Sequence, residues 1–144
     1  MSAVKLIAVF TENKAGEAAR ITRIIAEAGA NIRWVTIASH SSSGCGVMKL
    51  LVDKCDLALQ NLKQKGLVVH FLDALAVEVN DQPGALQAVC ECLFKAAINI
   101  ENTSGFVANN RAILIIDVPN VAAAREVLQK QGMRVLTQEE ILSL

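Results

Sequence analysis

The sequence predicts an α+β protein made of two successive units, each a two-layer structure with helices on one face of an antiparallel sheet. The first observation is internal repetition, because Gly16 matches Gly84 at an offset of 68 residues (84 minus 16). The pairs Asn31-Ile32 and Asn99-Ile100 keep the same offset. The second observation is that strand and helix patterns follow each other in the order β-α-β-β-α-β in both copies. We therefore place the first unit at residues 1–72 and the second at residues 73–144.

The first unit opens with "KLIAVF", an apolar segment that predicts a strand. A helix follows, ending at Gly29, which suits a helix C-terminus. Its predicted sheet-facing residues are Ala18, Ile21, Ile25 and Ala28. The segments "NIRWVTIASH" and "VMKLLVD" predict a hairpin across the flexible turn "SSSGCG". A second helix ends at Gly66, and "LVVHF" predicts the last strand. The residues of that helix that face the sheet are predicted to be Cys55, Ala58 and Leu62.

The second unit repeats this order, beginning with the strand "LAVEV". Its first helix is predicted to bury Leu86, Val89, Cys90, Leu93 and Ala97. The strands "INIENTSGFVA" and "AILIIDV" pair across "NNR", and "MRVLT" closes the sheet. A further helix begins after Pro119, with Val121, Ala124 and Leu128 facing the sheet. Right-handed β-α-β crossovers give each unit a ferredoxin-like topology.

The junction between the units is predicted to be stiff. Neither glycine nor proline occurs between Leu67 and Val79, so the last strand of the first unit runs almost directly into the second unit. Asp73 is the predicted bend. A stiff junction favours a fixed arrangement of the two units, with the functional surface where they meet, whereas a flexible linker would leave them independent.

Composition excludes several classes of function. Hydrophobic residues make up 53% of the chain, yet no run approaches the ~18 apolar residues of a membrane span. The N-terminal "MSAVKLIAVF" is interpreted as a strand rather than a signal peptide, so we expect a cytoplasmic protein without membrane contact. Fourteen basic residues balance fourteen acidic ones, and one Trp and four Phe are the only aromatic residues. Neutral charge and few aromatics argue against a nucleic-acid partner.

Metal binding and catalysis are poorly supported by the residue spacing. His40, His70 and Cys45 are the candidate ligands, but they lie far apart without an H-x-x-x-H or C-x-x-C pattern, so we predict no metal and no cofactor. All four cysteines are interpreted as small buried apolar residues. "SSSGCG" is interpreted as a turn, and small phosphatases of this topology use an arginine in the loop where this chain has Lys14 or Gln82. We therefore expect no enzymatic activity and no catalytic residues.

The segment "NDQPGAL" carries the strongest chemical signal. Asp81 or Gln82 can cap the following helix, and Pro83 suits its first turn. The amide groups of residues 84–86 would then be unpaired at the positive end of the helix dipole and would attract an anion. Gly84 lacks a Cβ, so a ligand can approach closely, and Asp81 can meet an ammonium group. These are the needs of a free α-amino acid. The structural alternative is a simple strand-to-helix turn.

Both units resemble ACT domains, the small regulatory modules of amino-acid metabolism. The second unit is the closer match, and the residues that carry the resemblance are Asn80, Asp81, Pro83, Gly84, Leu86 and the segment Ala96, Ala97, Ile98, Asn99, Ile100. The resemblance covers essentially the whole chain, as two ACT units in tandem with no catalytic domain, similar to stand-alone tandem ACT proteins of bacteria.

The resemblance implies amino-acid binding where two units pair, often with their sheets joined edge to edge. The implied main site consists of Asn80, Asp81, Gln82, Pro83, Gly84, Ala85 and Leu86, facing Trp34, Val35, Thr36 and Ile37. The implied pseudo-symmetric site consists of Asn13, Lys14, Ala15, Gly16, Glu17 and Ala18, with Asn102, Thr103 and Ser104. Trp34 fits either the core or a cover over the ligand side chain.

The first unit departs from the ACT pattern. Ala15 replaces the proline, Ala18 replaces the apolar anchor, and Glu17 places a negative charge where a ligand carboxylate would bind. Lys14 can offset that charge. We therefore expect two unequal sites, with the second one better.

The sequence thus predicts a non-enzymatic regulatory protein that binds a free amino acid, forms a homodimer and acts on a partner enzyme or regulator. The alternative is a protein–protein interaction module without a small ligand, in which apolar edge strands such as "AILIIDV" pair with another chain.

Overall fold

The computed structural model describes residues 3–144. Met1 and Ser2, which belong to the predicted first unit, lie outside the described residues. The elements are β1 (Val4–Glu12), α1 (Glu17–Glu27), β2 (Ile32–His40), β3 (Cys45–Val52), α2 (Cys55–Gln64), β4 (Val68–Asn80), α3 (Ala85–Lys95), β5 (Asn102–Ala108), β6 (Arg111–Asp117), α4 (Val121–Lys130), β7 (Arg134–Leu136) and α5 (Gln138–Leu142). None of the helices in this described part is long and apolar enough to cross a membrane.

The chain divides into two compact units, Lys5–Leu72 and Asp73–Leu144, and residues 3 and 4 belong to the latter. We call them the N-terminal and C-terminal units. Strands follow the order β2-β3-β1-β4 in the N-terminal unit, while β5-β6-β4 and β7 form the sheet of the C-terminal unit. β4 contributes a strand to the sheets of both units. It continues without a break through Asp73, where the sequence predicts a bend. The predicted fold class, two βαββαβ units with antiparallel strand pairs, is confirmed.

One face of the N-terminal sheet forms a core with α1 and α2. Ile7 and Val9 of β1 pair with Leu50 and Met48 of β3, and this face packs against the helices. The buried helix residues are Ile21, Ile24, Ile25, Ala58, Leu59 and Leu62. The prediction that Ala18 faces the sheet is wrong, because Ala18 lies in the first helical turn and is exposed beside an open cavity.

The C-terminal core repeats this arrangement, with one correction to α3. Buried Leu75 and Val77 of β4 pack with residues of α3 and α4. On α3 the buried residues are Val89, Cys92 and Leu93, which have the i, i+3, i+4 spacing of one helix face. The predicted burial of Leu86 and Ala97 is wrong, since both are exposed, and Cys90 is only half-buried. Cys92, rather than Cys90, faces the sheet.

Several strand residues that point away from the helices are also buried. Leu6 and Ala8 on β1, and Ile113 and Ile115 on β6, are at most 2% exposed. Strands with two buried faces appear in sequence as continuous apolar runs, which accounts for "KLIAVF" and "AILIIDV". The prediction that "AILIIDV" is an edge strand is therefore wrong. β6 lies between β4 and β5, and β5 is the edge of this sheet.

The last helix, α5, has no counterpart among the predicted elements. Thr137 caps it, because its side chain accepts a hydrogen bond from the Glu140 amide at 3.1 Å while the Glu140 carboxylate accepts one from the Thr137 amide at 2.7 Å. This is a capping box, and its signature T-x-x-E is present in the sequence "TQEE". Ile141 anchors the helix by burial.

Candidate ligand-binding loops

The loop between β1 and α1 folds into two consecutive turns closed by backbone hydrogen bonds. We call residues 13–18 the first loop. The amide of Lys14 donates to the carbonyl oxygen of Glu12 at 3.0 Å, and the amide of Glu17 donates to Lys14 at 3.4 Å. The helix then begins with a bond of 2.9 Å from the Arg20 amide to the Gly16 oxygen.

The loop between β4 and α3, residues 80–86, has the same backbone and is called the second loop. The amide of Gln82 donates to Asn80 at 3.0 Å, that of Ala85 donates to Gln82 at 3.2 Å, and that of Ala88 donates to Gly84 at 2.9 Å. Each bond lies 68 positions after its counterpart. The duplication read from the sequence therefore extends to individual hydrogen bonds.

The start of α3 differs from the prediction. Gly84 is the N-cap, with φ 89°, and no side chain in the described part of the chain caps the helix. The predicted cap by Asp81 or Gln82 is wrong, and Pro83 lies before the helix instead of in its first turn. The reason is that Gly84 adopts a left-handed conformation, so that the helix begins after Gly84, at Ala85. A Cβ on Gly84 would meet no atom within 4 Å, so the positive φ, rather than crowding, calls for glycine.

The open amide groups also lie slightly later than predicted. The Ala85 amide is paired with Gln82, so it is not available to a ligand. Among the described residues, the amides of Leu86 and Gln87 have no acceptor. Together with the helix dipole, they leave a partial positive charge at this end of α3.

A cavity of about 360 Å³ lies beside the second loop within the C-terminal unit. Its lining residues are Glu78, Val79, Asn80, Gln82, Ala85, Ala88, Arg111, Gly132, Met133 and Arg134. The Glu78 carboxylate accepts hydrogen bonds from Arg111 Nη1 at 2.8 Å and from Arg134 Nη1 at 2.9 Å. The Glu78 side chain is 10% exposed, whereas about half of each arginine side chain is exposed. A nearly buried carboxylate therefore holds two cationic groups that both belong to residues lining the cavity.

The charge on these groups is stabilised by their neighbours. The hydrogen bond from Arg134 to Glu140, followed by the charge of Glu78, raises the pKa of the Arg134 guanidinium. A guanidinium presents five N–H donors in a planar fork that matches a carboxylate. The cavity can therefore offer charged donors to an anionic group, with the neutral side chains of Asn80 and Gln82 beside them.

A smaller cavity of about 190 Å³ lies beside the first loop within the N-terminal unit. It is lined by Thr11, Glu12, Asn13, Lys14, Glu17, Ala18, Ile37, Ser39, Gly46 and Met48. The Glu17 side chain, which is 16% exposed, accepts a hydrogen bond from Thr11 Oγ1 at 2.9 Å. Lys14 bonds to Glu12 at 3.0 Å, which is the main reason that the pKa of its ammonium group is raised. Lys14 therefore has Glu12, rather than Glu17, as its direct partner.

The strand residues of the predicted sites occupy two edge strands. Val35 and Ile37 are about half exposed on the helix-facing side of β2, and Trp34 is half-buried on the opposite side. The structure places Ile37 beside the first loop of its own unit. Asn102, Thr103 and Ser104 begin β5, which pairs with β6. Their predicted role opposite the first loop, and that of residues 34–37 opposite the second loop, stay predictions.

The sequence prediction missed the three charged residues of the larger cavity, namely Glu78, Arg111 and Arg134. Arg134 lies directly opposite Glu78 in the β4–β7 pair, and Arg111 lies opposite Asn80 in the β4–β6 pair. The available signal was the presence of single charged residues in strands that are otherwise apolar. Pairing the strands of the predicted topology would have brought them together.

The candidate metal ligands do not form a cluster. His70 stacks on Phe10 with ring centroids 5.4 Å apart. The predicted burial of Cys45 is wrong, because this residue is exposed at the start of β3, beside the hairpin turn. Within residues 3–144, no group of three or more His, Cys, Asp or Glu side chains is placed to hold a metal ion.

Comparison with known proteins agrees with this architecture. A sequence profile described as an ACT domain pair matches residues 1–144. No curated protein sequence matches the chain. Among solved structures, protein BT0572 from Bacteroides thetaiotaomicron is similar at 26% identity, with a TM-score of 0.91, and the match covers 99% of this chain and 98% of that one.

Two more distant structures share the fold. The regulatory subunit of aspartate kinase from Thermus thermophilus has 17% identity and a TM-score of 0.64, with 90% of this chain and 93% of that chain covered. Aspartate kinase from Clostridium acetobutylicum has 14% identity and a TM-score of 0.55, with 88% of this chain but 32% of that chain covered. The duplicated βαββαβ architecture and the match over residues 1–144 lead to one assignment. This chain belongs to the ACT domain pair family.

Proposed function

We propose that this protein is a non-enzymatic regulator that binds a free amino acid, with the second loop and the cavity beside it as the principal contact surface. The proposal rests on the presence of two kinds of anion donor close to the second loop. The amides of Leu86 and Gln87 are open at the start of α3, and two arginines line the adjoining cavity. A regulator of this kind signals only if the ligand binds one arrangement of the protein better than another.

The chemistry of an α-amino acid suits this surface. Its carboxylate would take hydrogen bonds from the open amides or from a guanidinium, both of which favour negative charge. Its ammonium group needs an acceptor, and Asp81, which is exposed in the second loop, supplies one. The volume of about 360 Å³ is within the range of small-molecule sites, roughly 300–1,000 Å³.

The family profile covers residues 1–144. Membership of the ACT domain pair family supports a regulatory function. The resemblance also supports a ligand shared between two ACT units, of one chain or of two copies, a homodimer, and a partner enzyme or regulator that responds to the ligand. We include these in the proposal.

The proposal is tested by screening single amino acids for an increase in melting temperature. A ligand at about 100 Kd adds about 2.7 kcal/mol to the free energy of unfolding. For a chain of this size, about 1 kcal/mol corresponds to roughly 2–4 °C, so the expected increase is roughly 5–11 °C. Trp34, which is the only tryptophan, gives an independent fluorescence signal. An unchanged melting temperature with every amino acid would contradict the proposal.

A matched pair of variants locates the site. Gly84 and Gly66 have φ values of 89° and 84°, and in both cases a Cβ would meet nothing within 4 Å. Gly84→Val and Gly66→Val therefore carry the same backbone strain, about 1–2 kcal/mol. Only Gly84→Val should lose the ligand response, and an equal response in both variants would place the site elsewhere.

The alternative, a protein–protein interaction module, is favoured by one observation. Phe94 is 72% exposed, and Leu86 and Cys90 lie on the same stripe of α3 at spacings of four residues. An exposed apolar stripe is typical of a contact surface. Phe94→Ser would weaken self-association or partner binding under this alternative, while leaving an amino-acid response at the second loop intact.

A further inference from the structure

We propose that the first loop carries a built-in occupant. The carboxylate of Glu17 takes the place at the start of α1 that a ligand carboxylate takes at the start of α3, so each chain has one ligand-accepting loop instead of two. The part that concerns the ligand rests on the proposed function, whereas the self-occupied first loop rests on geometry alone.

Glu17 is turned into the cavity of its own unit. The loop residues before it, 12–16, are all exposed, yet the Glu17 side chain is only 16% exposed. Oε2 accepts a hydrogen bond from Thr11 Oγ1 at 2.9 Å and lies 4.0 Å from Arg20 Nη1. Withdrawing a carboxylate from water is unfavourable unless such partners compensate. The side chain is therefore held in position by specific contacts.

The surroundings of Glu17 supply the charges that a ligand carboxylate would otherwise find. No side chain caps α1, and in the described structure the amides of Ala18 and Ala19 have no acceptor. A carboxylate in the first turn neutralises this positive end of the helix. Arg20 is fixed beside it, because its Nη2 donates to the carbonyl oxygen of Lys65 at 3.2 Å.

The second loop lacks every member of this arrangement. At the offset of 68 residues, the counterparts of Thr11, Glu17 and Arg20 are Val79, Ala85 and Ala88. The hydroxyl donor, the carboxylate and the neighbouring cation are thus all absent, although the backbone hydrogen bonds of the two loops agree within 0.2 Å (3.4 and 3.2 Å for the most different pair). The second loop has the same backbone without a carboxylate at the first position of its helix, where Ala85 takes the place of Glu17.

Two consequences follow for binding. A ligand carboxylate that approaches the first loop meets Glu17, a like charge in a cavity of about 190 Å³. A ligand at the second loop meets open amides. We therefore expect one amino acid bound per chain.

The geometric part is tested without any ligand by a double-mutant cycle. The variants are Thr11→Val, Glu17→Ala and the double variant, compared by their urea midpoints. If the two side chains act as a pair, the double variant should lose little more stability than the less stable single variant. Additive losses would show that Glu17 is not held by Thr11 and would overturn the inference. Glu126 and Lys130, an exposed pair at 2.8 Å, provide a control cycle in which near-additivity is expected.

The binding part is tested by calorimetric titration with whichever amino acid raises the melting temperature of the wild type most. The wild type should bind one molecule per chain. Glu17→Ala should show a second, weaker binding event, and the transplant Val79→Thr, Ala85→Glu, Ala88→Arg should bind none. A wild type that binds two per chain, or a Glu17→Ala variant that still binds one, would overturn the inference while leaving the proposed function standing. If no amino acid binds the wild type, the proposed function fails, and the double-mutant cycle alone decides whether the first loop is self-occupied.

Discussion

Replacing Glu78 with Gln tests whether the paired arginines of the larger cavity are held by a buried carboxylate. Glu78 accepts hydrogen bonds from Arg111 at 2.8 Å and Arg134 at 2.9 Å, and its side chain is 10% exposed. The amide of Gln keeps the shape and one neutral acceptor but removes the charge. It also places an NH₂ group against one of the two guanidinium groups.

The expected loss follows from the exposure of each partner. A hydrogen bond to a charged group contributes about 1.5–3 kcal/mol, and half-exposed partners reduce this through solvent screening. For two such bonds we expect Glu78→Gln to lower the free energy of unfolding by about 1–3 kcal/mol, or roughly 2–12 °C in melting temperature.

Glu126→Gln is the matched control for this variant. Glu126 bonds to Lys130 at the same distance, 2.8 Å, but these side chains are 66% and 71% exposed. Exposed i, i+4 pairs contribute little to stability, so the loss in Glu126→Gln should be the smaller of the two. Urea unfolding followed by circular dichroism measures both losses. Equal losses in the two variants would refute the argument that burial of Glu78 makes its ion pairs stronger.

Three further predictions concern the C-terminal unit. The hydrogen bond from the Thr137 amide is the main reason that the pKa of Glu140 lies below its ordinary 4.5. The ionised Glu140 therefore stabilises the fold above that pH, and this stabilisation is lost as the pH falls through the lowered pKa. The stability difference between Glu140→Gln and the wild type, measured by unfolding across pH 7 to 3, should accordingly disappear in acid. Asn120→Ala removes the side-chain cap of α4, whose oxygen accepts a hydrogen bond at 3.0 Å, and should lower the free energy of urea unfolding by about 1 kcal/mol. Gly105→Ala would place a Cβ 2.8 Å from Leu114 Cδ2 in the core, and should cost about 1–3 kcal/mol, part of which the double variant with Leu114→Val should restore.

The order of strands and helices could be predicted from sequence because it depends on local periodicity. The turn of residues 109–110 illustrates this, since "NNR" predicted a hairpin and both asparagines have positive φ. The buried stripe of α3 was harder to predict. Cys90 and Cys92 are chemically identical and two positions apart, so their burial depends on how the helix lies on the sheet. That placement is a tertiary property, and the structure buries Cys92.

The residues of the candidate site that are neighbours in sequence were predicted, whereas those that come together from distant positions were missed. The second loop is a continuous segment with a proline and a glycine, so its turn is encoded nearby. The cavity beside it depends on Arg134, which reaches Glu78 across 56 positions of sequence. No short pattern contains both residues. Strand order had the same effect on "AILIIDV", where an apolar run was compatible with an edge strand until its two neighbours were known.

The two loops separate the contribution of the backbone from that of the side chains. Gly16 and Gly84 have φ values of 95° and 89°, and three backbone hydrogen bonds around each of them correspond in position. The glycine and the open amides therefore cannot by themselves make one loop accept an anion and the other reject it. The difference must come from side chains, and Glu17 against Ala85 is the change of charge at the first position of each helix. Substitution at Gly84 thus tests whether this kind of loop binds at all, whereas exchange of residues 17 and 85 tests which of the two loops does so.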